Sequence, residues 1–128
     1  MTLVTSASSS EQFCVLLPKA KIESHPEGFG KFLQHLRSEF GGYTYDREVN
    51  GSWIERTAGI VHDDRSVVIL VEIPLLPVSH ETLKRLISYV ARDLNELSLF
   101  VSVSGGATFF VWAAAEAERS SETRQLAA

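Results

Sequence analysis

Ser66-Val67-Val68-Ile69-Leu70-Val71-Glu72-Ile73 is the stretch on which the fold turns. Its middle holds five apolar residues in succession, most of them β-branched. A run of that length and composition predicts a strand covered on both faces rather than one alternating between core and water. Pro74 and Pro77 close it, because proline cannot donate to a sheet ladder. Immediately downstream the period changes. Leu83, Leu86, Ile87, Val90 and Leu94 recur at helical spacing, which predicts a helix from Ser79, read as its N-cap, to about Asn95. Glu81 near its start and Arg92 near its end suit the helix dipole.

Upstream, the same two signals appear in the opposite order. Gln12 to Ile22 holds the apolar run Phe13-Cys14-Val15-Leu16-Leu17 and predicts a first strand. Ser24-His25-Pro26-Glu27 has the form of a capping box, with Pro26 tolerated in the first turn of a helix. Phe29, Phe32, Leu33, Leu36 and Phe40 then mark one helical face, ended by Gly41-Gly42. Between the two helices, Tyr43 to Pro74 reads as β structure. Asn50-Gly51 is the pair favoured by a tight hairpin turn, and His62-Asp63-Asp64-Arg65 reads as a second break. Whether Tyr43 to Val61 is one bent strand or a hairpin stays open at this level. Leu97 to Val103 and Ala107 to Trp112 predict two last strands, joined at Gly105-Gly106.

The expected organisation is a lead at 1–11, one domain at 12–114 and a polar, Ala-rich tail at 115–128. The order strand, helix, strands, helix, strands defines an α+β class. Its simplest arrangement is a ferredoxin-like βαββαβ sandwich, an antiparallel sheet with two helices on one face. Two helices leave the second sheet face bare, although Val67 to Val71 and Phe109-Phe110-Val111-Trp112 are apolar on both sides. A homo-oligomer that covers this face is therefore expected.

Composition narrows the function. The chain has 128 residues and a formal charge of −4, with no cluster of Lys and Arg, so a nucleic-acid duplex is not an expected partner. No apolar stretch approaches the ~20 residues that span a bilayer. Nothing at the N-terminus has the form of a secretory signal, so a cytoplasmic location is expected. The single cysteine, Cys14, lies inside an apolar run and reads as a core residue. Neither a phosphate-binding glycine loop nor a nucleophile elbow is present, and His25, His35, His62 and His80 are scattered. No cofactor and no metal site is expected.

The segment richest in chemistry is Gly42 to Val71. It gathers Tyr43, Tyr45, Asp46, Glu48, Trp53, Glu55, Arg56, His62, Asp63, Asp64 and Arg65. Aromatic rings beside carboxylates can hold a cationic or nucleoside-like ligand, the rings by stacking and the acids by charge. Each residue also has a plainer reading. Asp63-Asp64 can be a solvated turn, Trp53 and Tyr43 core or interface residues, and Glu55-Arg56 a cross-strand pair.

Within this segment Gly51-Ser52-Trp53-Ile54-Glu55, followed after seven residues by Asp63-Asp64-Arg65-Ser66-Val67, resembles the core of the phage S-adenosylmethionine lyases. Those enzymes show a Gly, an aromatic residue and a Glu at this spacing, then two adjacent acids, a Lys and a Thr-Val strand. Here the acids are Asp and the aromatic is Trp53, where the family has Glu and Tyr. The lyases are in turn similar to the PII-like signalling proteins, ferredoxin-like trimers with ligand sites between subunits. In their reaction the substrate's own carboxylate displaces methylthioadenosine and leaves homoserine lactone. The resemblance implies a trimer with catalytic candidates Asp63, Asp64 and Glu55: Asp63 or Asp64 near the sulfonium or ribose, and Glu55 close by. Trp53, Tyr43, Tyr45 and Arg65 would line a site for a nucleoside-type small molecule. A non-catalytic small-molecule sensor and a protein-interaction module are the alternatives.

Overall fold

The computed structural model describes residues 10–55 and 57–114, without the side chains of Trp53, Glu55 and His62. Eight elements follow one another: β1 (Ser10–Pro18), α1 (Lys19–Ser24), α2 (Pro26–Phe40), β2 (Thr44–Glu55), β3 (Ile60–Pro74), α3 (Pro77–Asp93), β4 (Ser98–Val103) and β5 (Thr108–Trp112). The strands form one sheet in the order β2-β3-β1-β4-β5, and every neighbouring pair is antiparallel. This is a mixed α/β architecture consistent with a small ferredoxin-like fold. The sheet has a fifth strand on its far edge.

Period-two alternation sorts the sheet into two faces. Phe13, Val15 and Leu17 of β1, Val67, Ile69, Val71 and Ile73 of β3, and Leu99 and Val101 of β4 are all buried in one cluster. The same cluster takes in Phe32 and Leu36 of α2, and Leu83, Ile87, Val90 and Ala91 of α3. The apolar stripes of the two long helices thus close over one face, as their spacing predicts. Gly28 lets them meet, because a Cβ at that position would lie 2.9 Å from Cβ of Asp93.

The opposite face carries Leu16, Val68, Leu70 and Phe100 at its centre, with Phe110 and Trp112 at the β5 edge. Cross-strand register aligns Phe110, Phe100, Leu16 and Val68 in one row. Phe100 and Phe110 meet edge to face at 5.6 Å. Phe110 and Trp112 are 58% and 67% exposed, so this edge of the second face lies open in the single chain.

Several local expectations are corrected. β1 stops at Pro18, and residues 19–24 turn into the short helix α1 rather than continuing the strand. No capping box forms. His25 is the N-cap of α2 and makes no side-chain cap bond, and the Ser24 hydroxyl instead donates to the Ala20 carbonyl at 2.9 Å. α3 begins at Pro77, two residues before the expected cap at Ser79, and Leu76 stands at its N-cap. Helix α2 ends as predicted. Gly41 has φ 89° and its N–H donates to the Arg37 carbonyl, a left-handed stop that glycine adopts without steric cost.

The largest correction concerns residues 43–66. Asn50-Gly51 is not a turn and His62 to Arg65 is not a break. Both lie within strands that pair from Thr44 opposite Leu70 to Glu55 opposite Ile60. The reversal falls beyond Glu55 and ends at Gly59, whose φ of 70° suits a turn. A bulge between Tyr45 and Arg47 shifts the register, as one extra residue on β2 demands.

Candidate ligand-binding site

β3 is much longer than its inner neighbour. β1 pairs with β3 only from Ser66 to Pro74, so residues 60–65 pair with β2 alone. Residues 50–55 and 60–65 therefore project past the sheet as a two-stranded ribbon. The paired acids sit in this ribbon, and strand geometry decides what they can do together. Successive side chains point to opposite faces, so Asp63 and Asp64 do not share a site within one chain.

Register assigns each position. Asp64 stands opposite Gly51 and has the parity of Ser66 and Val68, which places it on the open face. Backbone positions 53 and 55 have that same parity, opposite 62 and 60. Asp63, opposite Ser52, and Arg65, opposite Asn50, lie on the face that continues toward the helices. Arg65 is engaged there. Its Nε donates to Oδ1 of Asn50 at 3.4 Å, and its Nη1 lies 4.0 Å from Glu48, which also binds Lys19 at 3.1 Å.

The two tyrosines belong to the other end. From Asp64 to Leu70 the strand rises roughly 20 Å, and Thr44 pairs opposite Leu70. Tyr43 packs partly buried against the core, with the Arg37 guanidinium 5.9 Å from its ring centre. Tyr45 stands opposite Ile69 on the helix side and is half-exposed. Of the residues read from the sequence, the fold groups Asp64 with positions 53 and 55. Tyr43, Tyr45, Asp63 and Arg65 fall elsewhere.

Tyr43 does line a cleft. Because β2 begins opposite Leu70, the outer edge of β3 beyond it is left unpaired beside the end of α2. A cavity of about 250 Å³ fills this notch, walled by Phe40, Tyr43 and Leu70 and edged by Gln12 and Glu72. Its character is aromatic and acceptor-rich. The Glu72 carboxylate accepts from the Ser10 hydroxyl at 3.1 Å. The last carbonyls of α2 lack intrahelical donors and add negative potential at this end. Sequence reading missed Phe40, Gln12 and Glu72: sheet register pairs Gln12 with Glu72, and the end of α2 places Phe40 in the same lining. Among the described residues no group of three His, Cys, Asp or Glu gathers as a metal site would require.

No protein-family model matches the chain, and no match was found among curated proteins. Among solved structures, it is similar to a phage S-adenosylmethionine lyase in complex with S-methyl-5′-thioadenosine. The TM-score is 0.55 at 17% identity, covering 81% of this chain and 88% of that one. The likeness is one of fold. It agrees with the resemblance carried by residues 51–67. Among the described residues no helix is long and apolar enough to cross a membrane.

Proposed function

We propose that the chain is a PII-like homo-oligomer, a trimer as first choice, that binds a nucleoside-type small molecule between subunits. In this reading it acts as a lyase on S-adenosylmethionine or a derivative. One observation carries it: the face away from the helices carries an acid, Asp64, on the projecting ribbon, and the aromatic cleft at Tyr43 lies roughly 20 Å away along the same strand. One chain cannot bring these to a single ligand. A second copy packed on the open face can supply the missing end, and its packing would cover Phe110 and Trp112. The fold shared with a lyase that binds S-methyl-5′-thioadenosine supports the ligand class.

The chemistry assigns limited work to the protein. The substrate's carboxylate oxygen attacks its own Cγ, the carbon bonded to sulfur; the O–Cγ bond forms as the Cγ–S bond breaks, and the released electron pair neutralises the sulfonium. Methylthioadenosine leaves and homoserine lactone remains. Charge disappears along this path, so a dry, apolar surrounding favours the transition state over the charged ground state. Asp64 attracts the sulfonium most strongly before reaction. Its contribution is to binding and orientation, and the apolar face provides the acceleration.

Incubation with S-adenosylmethionine followed by chromatography for methylthioadenosine tests the activity. Binding without product would leave a non-catalytic sensor, and no binding of any nucleoside would leave an interaction module.

A further inference from the structure

A second cavity lies on the other side of the molecule, in the helix layer. It measures about 150 Å³ and runs between α2 and α3 beside their contact at Gly28 and Asp93. Its floor is apolar, made by Phe32, Leu86 and Val90, and its rim carries Lys31, His35, Arg92 and Asp93. Lys31 and His35 stand one turn apart on α2, facing Arg92 and Tyr89 of α3.

These polar groups are not committed to structural bonds in the same degree. Arg92 is held in place, with Nε and Nη2 donating to Oδ1 of Asp93 at 3.4 and 3.2 Å and its guanidinium 5.0 Å from the Tyr89 ring centre. Its side chain is only 20% exposed. A guanidinium carries five N–H donors, so most remain beyond those two bonds. Lys31 and His35 have no hydrogen-bond or ion-pair partner among the described residues. A fixed guanidinium, an uncommitted ammonium, an imidazole and an apolar floor thus meet in a chain whose formal charge is −4. Ion pairing is stronger over such a floor than in bulk water.

We infer that this interhelical groove is a binding site for a small phosphate-type oxyanion, separate from the nucleoside site. Arg92 supplies a preoriented fork, and Lys31 and His35 close over the anion from the facing helix. Asp93 accepts from the Arg92 guanidinium and holds it in place. The groove faces away from the open sheet face, so it stays accessible when copies pack there.

The test is an NMR titration of the full chain with inorganic phosphate, with sodium chloride at matched ionic strength as control. Saturable shifts at His35 and Lys31 that chloride does not reproduce are expected. In the double variant Lys31→Gln, His35→Gln the affinity should fall by about tenfold or more, since two charge-assisted contacts are removed. Both residues are exposed, so the melting temperature should stay within a degree or two of the parent. The parent's shifts failing to saturate, or following ionic strength alone, would overturn the site. Equal affinity in the double variant and the parent would do so as well. Asp64→Asn is expected to leave phosphate binding unchanged, which keeps this result independent of the lyase reading.

Discussion

The two halves of β3 are continuous in backbone and opposite in circumstance. From Val67 to Ile73 the strand has a neighbour on each side over most of its length, and Val67, Val68, Ile69, Val71 and Ile73 are at most 2% exposed. From Ile60 to Arg65 it has β2 alone, and Ile60 and Val61 are more than half exposed. The first half holds the domain together and the second extends a surface into solvent. An isolated two-stranded ribbon is marginal by itself. Substitutions in the ribbon should therefore alter binding while those in the sheet alter folding, and this contrast can be attacked directly.

The largest effect is expected in the sandwiched half and in the helix that covers it. Phe32→Asp and Ile69→Asp each place a carboxylate in the shared core, where desolvation costs several kcal/mol, comparable to the whole stability of a small domain. Both variants should lack a cooperative thermal transition. A variant that melts like the parent would show that the core is drawn around the wrong residues. Ile69→Ala tests the same position more gently, with an expected loss of about 2–5 kcal/mol in denaturant unfolding.

The sandwiched half was also the legible half. Val67 to Val71 and the two helical stripes impose a period that packing then reinforces, so the strand's core and both helical faces fall where the sequence puts them, although their starts do not. In the ribbon, local propensity and tertiary pairing disagree. Asn50, Gly51, Asp63 and Asp64 favour turns in isolation, yet eleven consecutive pairings of Cα atoms with one shift carry them through as strand. The bulge at Tyr45 to Arg47 leaves no sequence signal of its own. The cleft was less legible still, because strand register pairs Gln12 with Glu72 and helix packing adds Phe40. Position 64 was found by its charge, but its separation from Asp63 required the strand assignment.

The next effect belongs to the ribbon and concerns binding. Asp64→Asn removes a carboxylate and keeps the shape. If Asp64 faces the ligand's cation, affinity should fall about 100-fold, less than the full Coulomb term of ~4 kcal/mol for two charges 4 Å apart at an effective dielectric of 20. Because the sulfonium loses its charge during reaction, the loss should appear in KM, with kcat held or raised. A fall confined to kcat would remove Asp64 from the binding role. Sedimentation of the parent checks the assembly on which the reading depends. A 14.2 kDa species at micromolar concentration would leave the ribbon and cleft apart and the composite site unformed.

A smaller effect is expected from Val61→Ser at the ribbon's outer reach. The side chain is 60% exposed and stands opposite Ile54, itself 54% exposed, so its removal leaves no cavity in the described chain. Stability should change by no more than about 0.5 kcal/mol. A loss above 2 kcal/mol would mean that another copy buries this tip, and the contrast between the halves of β3 would then hold only for the single chain.

The smallest effect separates two adjacent residues of identical chemistry. Asp63 and Asp64 have the same short acidic side chain, and both are exposed. A turn would allow both to approach one ligand, and a strand would not. In the ribbon Asp63 shares its face with Arg65 and the Asn50–Glu48 group, on the side that continues toward the helices. Asp63→Asn should then leave ligand affinity, KM and kcat within about twofold of the parent, while Asp64→Asn does not, since screening in water reduces what a carboxylate on the far face can contribute. The comparison needs no assumption about the reaction, only a ligand that binds. Equal losses in both variants would contradict the strand alternation at 63–64, and would return this segment to the turn that its composition favours. A loss at Asp63 alone would move the site to the helix-side face, beside Arg65 and away from the open sheet.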